Sequence, residues 1–159
     1  MTKLHKVRFT PVLDTSQYTA GDVLFATTEI IGFIPQAGKA ILRYVKVTDK
    51  ADQKNPIGLV FFKSNVSLGA FNGAPDITDA NGDEVVSYFP IVATDYIDLG
   101  GVSVAVPQAT AFPTQLFLPL EAGVNGSTSV WVAGIVTSGT PTYAAPSLVF
   151  DFWVETAMR

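Results

Sequence analysis

The stretch GLVFFKSNVSLGAFNGAP, residues 58–75, opens with four consecutive large apolar side chains, Leu59 to Phe62, and then turns polar and glycine-rich. A run this short does not span a bilayer, which takes about 20 apolar residues, and its valine and phenylalanines follow no helical repeat. It reads as an interior strand buried on both faces. Its second face then needs a cover, either a helical turn or a neighbouring subunit.

Outward from this strand, alternation with period two recurs. In KVRFTPVL, 6–13, Val7 and Phe9 oppose Lys6, Arg8 and Thr10; in QLFLPLE, 115–121, Leu116, Leu118 and Leu120 oppose Gln115, Phe117, Pro119 and Glu121. In LVFDFWVE, 148–155, Leu148, Phe150, Phe152 and Val154 share a face opposite Val149, Asp151, Trp153 and Glu155. If the two terminal strands pair, Lys6 and Arg8 complement Asp151 and Glu155 across the ladder.

Further strands are expected over 22–33, 40–49, 57–63, 85–94, 102–106 and 128–137, separated by turn signals such as TAGD, NGAP, DANGDE and SGTPT. Helix is confined to a turn at 94–101, capped by Thr94 or Asp95, with room for another over 64–72. The expected fold is all-β: an antiparallel β-sandwich, jelly-roll-like, with at most one or two short helices. Residues 1–159 form a single domain, and 1–10 are an N-terminal strand or arm.

The chain has 159 residues, 48% hydrophobic and only 15% charged, whereas a soluble domain typically carries about 25% charged residues. So few charges imply apolar surface covered by another subunit, so a homo-oligomer, dimer or trimer, is expected. A net charge of −4 argues against nucleic acid as the main partner, since phosphate binding rests on lysine and arginine. Lys3, Lys6 and Arg8 precede the first acid, Asp14, and read as protective charges on an edge strand or as a local basic arm. The start MTKLHKVRF lacks an apolar h-region, and no long apolar stretch follows, so a soluble protein with no membrane partner and no signal peptide is expected.

Cysteine is absent, which removes thiolate nucleophiles and cysteine zinc sites. The one histidine, His5, sits near the N-terminus and reads as a solvated strand residue. DITDANGDE, 76–84, places Asn81 and Gly82 as in a calcium loop, but Ile77 and Tyr88 then fall where carboxylates are needed, so it reads as an acidic surface turn. Asp95 and Asp98 would make a glycosidase pair only across a sugar cleft, and capping is the simpler role. Trp131 and Trp153 each lie in an alternating strand, where packing explains them. No catalytic, cofactor or metal residue is assigned. Phe33, Ile34 and Phe112 sit beside proline and glycine connections, so they are contact candidates unless they tuck back onto their own sandwich.

Several phrases together resemble a family of tailed-bacteriophage virion proteins: YTAGDVLFATTEI (18–30), VTDKADQKNPIGLVFFKSNVSLG (47–69), APDITDANGDEVV (74–86), VATDYIDLGG (92–101) and VWVAGIVTSGTPTY (130–143). The resemblance runs through most of the chain and contains no catalytic signature. It implies a non-enzymatic structural component of the virion, of the capsid decoration or cement type, whose partner is the major capsid protein and which passes through the host cytoplasm during assembly. A head-fibre or tail receptor or carbohydrate-binding module is the alternative, and a glycan hydrolase is a more distant one. Within the first reading the contact candidates are Lys3, Lys6, Arg8, Phe33, Ile34, Asp79 and Phe112.

Overall fold

Ile57–Phe62 forms strand β4, and all six residues are buried. Ile57, Leu59 and Phe61 point into the main core, while Val60 and Phe62 join a second cluster on the outer side of the same sheet with Val23, Val66, Leu68 and Ala133. The cover is neither a helical turn nor another subunit. Val66 and Leu68 belong to the chain's own segment after β4, which carries no helix over 64–72 and crosses the sheet as an extended strap. Its backbone is anchored to the sheet: Leu68 N–H donates to Thr27 Oγ1 at 3.3 Å, Val23 N–H to the Gly73 carbonyl at 2.8 Å, and Asn72 N–H to the Val23 carbonyl at 2.7 Å.

The structure, a computed structural model, describes residues 2–34, 39–107, 118–121 and 128–157. Strand β2 (Val23–Ile30), β9 (Val130–Val136), β4 and β5 (Val85–Ile91) form a four-stranded sheet in that order. The facing sheet runs β1 (Thr2–Phe9), β10 (Leu148–Ala157), β3 (Lys39–Asp49), β7 (Ser103–Ala105) and β6 (Tyr96–Asp98), with β8 (Leu118–Glu121) paired to the first part of β3. The antiparallel pairs are nested: β1 with β10, β2 with β9, β3 with β8, and β4 with β5 innermost. One long two-stranded ribbon folded over itself into two sheets in this way is a jelly roll.

Aromatic rings fill the space between the sheets. Phe9 meets Phe25 edge-on at 5.4 Å, Phe33 meets Phe152 at 5.3 Å, and Phe61 meets Phe152 at 6.0 Å, so four strands and one connection share one aromatic layer. Gly134 faces Phe25 across the β2–β9 ladder, and a Cβ there would run into the ring. Glycine is what lets that ring lie flat over β9.

Two local expectations change. The helical turn placed at 94–101 is a 3-10 turn at Ala93–Asp95, after which the chain extends again as β6, because Tyr96 turns inward to bond β7 and pack against the core. A short helix α1 (Asp79–Gly82) appears instead in the β4–β5 connection, where Asn81 N–H donates to the Thr78 hydroxyl at 3.3 Å.

Because the strap completes the second core within one chain, Leu68→Ala should lower unfolding free energy by about 2–4 kcal/mol in dilute protein. A urea melt showing no loss would mean that the outer face of β4 is not sealed by its own segment.

Candidate interaction surface

Alternation that turns Phe9, Val45, Val47, Phe150 and Phe152 inward turns a different set outward on the β1–β10–β3–β7–β6 sheet. The registers arrange that set in rows. Arg8, Asp151 and Lys46 lie side by side across β1, β10 and β3; the next row is Lys6, Trp153 and Tyr44. Toward one end lie Leu4 and Glu155 with Arg43; toward the other, Val149, Thr48, Val104 and Ile97 reach the border strand β6. Leu4 and Ile97, at opposite corners, are each about half exposed (53% and 52%).

The electrostatics of this face are built on two sunken carboxylates. Arg8 grips Asp151 through two parallel bonds, Nε to Oδ1 at 2.8 Å and a terminal nitrogen to Oδ2 at 3.0 Å. The Asp151 side chain is 3% exposed and that of Arg8 61%. Those hydrogen bonds hold the Asp151 carboxyl below its ordinary value, against the opposing effect of burial, and the charges of Arg8, Lys6 and Lys46 help. Lys6 lies over the Trp153 ring with its ammonium 6.0 Å from the centroid, and Trp153 in turn leans on Tyr44 at 6.4 Å. A bulge after Trp153 shifts the β10–β3 ladder, and Glu155 pairs with Arg43.

The two outer faces of the sandwich therefore differ. The strap covers the outer face of the β2–β9–β4–β5 sheet over β2, β9 and β4, leaving Tyr88 and Val85 of β5 exposed, whereas the described chain lays no segment over the aromatic and cationic face. Tryptophan, tyrosine and arginine, the residue types that dominate interface energetics, stand at its centre.

The sequence candidates separate accordingly. Lys6 and Arg8 are on the bare face, and Lys3 is exposed further along β1. Asp79 is exposed at the start of α1, in the connection belonging to the other sheet. Phe33 and Ile34 are not surface contacts: both are buried, with Phe33 wedged against Phe61 and Phe152, so they tuck onto their own sandwich. The connection bends inward there because two large apolar side chains gain more from the open end of the core than from water. Phe112 lies outside the described residues. Arg43, Tyr44 and Lys46 escaped the sequence reading as site residues; the one signal was broken alternation in ILRYVKV, 41–47, where the bulge places Arg43 and Tyr44 together.

Other polar candidates are occupied by structure. The Asp95 carboxylate accepts the Val92 N–H at 2.9 Å, and Asp98 is held by Lys54 Nζ at 2.7 Å and by Gly100 N–H at 2.8 Å. His5 Nε2 sits 3.4 Å from the Gly32 carbonyl. Trp131 packs on the strap cluster and Trp153 on the opposite sheet, so the two cannot share one platform. Among the described residues no three metal-ligating side chains gather.

Asp49, at the end of β3, is fully buried and organises the following loop by accepting the N–H groups of Ala51 at 3.0 Å and Lys54 at 2.9 Å. Burial pushes its carboxyl up, more strongly than those backbone donors draw it down. Burial likewise raises the nearby Tyr143 and Tyr96 hydroxyls, and the charge of Asp49 adds to both. Tyr96 donates to the Asn55 carbonyl at 2.9 Å, which pins the 50–56 loop over the end of the sandwich.

No family model matches the sequence, and no curated protein matches it. Among solved structures it is similar to one described as Desmodium yellow mottle tymovirus, with 11% identity, 100% of this chain and 91% of that chain covered, and a TM-score of 0.30. A marine algae virus of the order Picornavirales follows at 10% identity, 96% and 67% coverage and 0.24. Apo chimpanzee polyomavirus VP1 stands at 8%, 99% and 79%, and 0.22. The jelly roll rests on the strand order.

Exchanging the partners of the sunken pair should show its worth. Arg8→Glu and Asp151→Lys should each lower the melting temperature, and the double exchange should restore most of the loss; additive losses would reject the pairing.

Two pH dependences of opposite sign accompany it. Asp151, held low, contributes stability that is present above about pH 3.8 and is lost as pH falls through its depressed value. Asp49, pushed up, contributes stability that is full below about pH 3.8 and is lost as pH rises through its raised value. In urea melts across the acid range, Asp151→Asn should flatten the acid limb and Asp49→Asn the opposite slope. Profiles unchanged by both would contradict the assignments.

Proposed function

We propose that this chain is a non-enzymatic structural component of a phage virion, a decoration or cement protein that attaches to the outer surface of the capsid and stabilises junctions between major capsid proteins. The observation that carries the reading is the outer face centred on Trp153, Tyr44 and Arg8, which no described segment of the chain crosses, whereas the chain's own strap lies over β2, β9 and β4 of the other sheet. A sandwich with its own core complete has no need of that aromatic surface for folding. Its value lies in contact with other subunits.

The fold suits such a role mechanically. Strands β1 and β10 of the bare face are backed by the aromatic layer between the sheets and β3 by the valines and leucine of the core, so their outward side chains are held in place before any partner arrives and little ordering is required on docking. A protein that binds only the expanded shell stabilises that state by mass action, and several copies act together through multivalency. The phrases that resemble those of tailed-phage virion proteins support the same reading.

Purified protein mixed with expanded, undecorated heads should sediment with them saturably and should not sediment with unexpanded precursors. Trp153→Ala and Tyr44→Ala should each weaken that binding about tenfold or more while leaving the fold intact. Absence of binding to expanded heads, or turnover of a glycan by the free protein, would remove the reading.

A further inference from the structure

On the bare face Asp151 and Glu155 are sunk, Arg8 and Lys6 are exposed, and Arg43 and Lys46 are half-buried. What a partner meets is therefore positive, although the whole chain carries a net charge of −4. Asp151 is enclosed beneath Arg8, and Glu155 is mostly covered beside Arg43. Lys6 is exposed above Trp153, and Lys46 flanks Asp151 from the other side. The face is an aromatic centre ringed by positive charge.

A complementary element exists on the same molecule. The β4–β5 connection presents Asp76, Asp79 and Asp83, all exposed, around an exposed Ile77. The Thr78 cap and the α1 turn hold its middle in a defined shape. This is an apolar knob ringed by negative charge. It belongs to the sheet opposite the bare face, so a copy cannot satisfy its own face with it without unfolding.

We propose that copies of this chain associate head to tail, the 76–83 segment of one seated on the Lys6–Trp153–Lys46 face of the next. The inference rests on the virion reading above and assigns the bare face to the contact between copies, so the weaker head binding of Trp153→Ala and Tyr44→Ala follows from loss of the multivalent ring. Opposite charges steer the encounter and set its register, and Ile77 meets the Trp153–Tyr44 pair. Such a contact is heterologous, so it closes into a ring when the rotation between copies allows, which is the form needed to sit over a junction of a symmetric shell.

Light scattering at low salt should give a mass that is a multiple of the 16.9 kDa chain and that falls toward one chain as salt is raised. Lys6→Glu with Lys46→Glu should yield monomers, and so should Asp79→Lys with Asp83→Lys, each with an unchanged circular dichroism spectrum. Mixed in equal amounts, the two variants should associate again, since each reversed surface now meets its opposite. If either reversed form misfolds, the neutral exchanges Lys6→Gln with Lys46→Gln and Asp79→Asn with Asp83→Asn should still cut the assembled fraction at least severalfold. A monomeric wild type at low salt, a loop variant that assembles like the wild type, or a mixture that stays monomeric would overturn the proposal. Head sedimentation stays separate: binding by a monomer would sink this contact and spare the virion reading, whereas assembly without head binding would do the reverse.

Discussion

Burial of β4 on both faces is the constraint from which the remaining architecture follows. A strand with Leu59 and Phe61 on one side and Val60 and Phe62 on the other needs apolar cover twice over. The facing sheet supplies the first cover through Phe150 and Phe152, and the strap supplies the second through Val66 and Leu68. Spending the β4–β5 connection on that strap has a consequence at its far end. The chain leaves the sheet surface after Asp76 and turns through α1 in the open, which is why its acids are displayed rather than paired.

The same economy explains the asymmetry of the sandwich. Among the described residues one connection crosses a sheet, so most of one outer face is covered by the chain and the other is left to side chains. On that bare face the sheet presents long amphipathic residues, whose stems cover the ladder and whose charged ends reach water. Arg8 over Asp151 and Lys6 over Trp153 are two instances: each shields a less soluble neighbour while remaining available at the surface.

Much of the fold was legible in the chain. Alternation in 6–13 and 148–155 located β1 and β10, the strand expected over 40–49 is β3, and the complementary charges of Arg8 and Asp151 foretold the pairing of the two termini, although Lys6 lies opposite Trp153 rather than an acid. The segment 64–72, which had room for a second helical turn, forms none because it serves the strand before it, a tertiary demand that leaves no local period. Phe33 and Ile34 failed as contacts for a related reason. Proline and glycine mark a bend, but not whether its apolar side chains turn toward water or toward an open core end.

What the residues determined unaided was periodicity and chemistry: which side chains share a face of each strand, that thiol chemistry is absent, and that too few charges are spread over too much apolar surface. Those follow from near neighbours, since a strand alternates wherever it lies. Which sheet keeps a bare outer face, and that Lys6, Trp153, Tyr44 and Lys46 gather there from β1, β10 and β3, was decided only by the nested pairing of strands far apart in the chain. Register couples distant residues through backbone hydrogen bonds that nearly every residue type can make, so side-chain identity reveals it only at exceptional pairs such as Arg8 and Asp151.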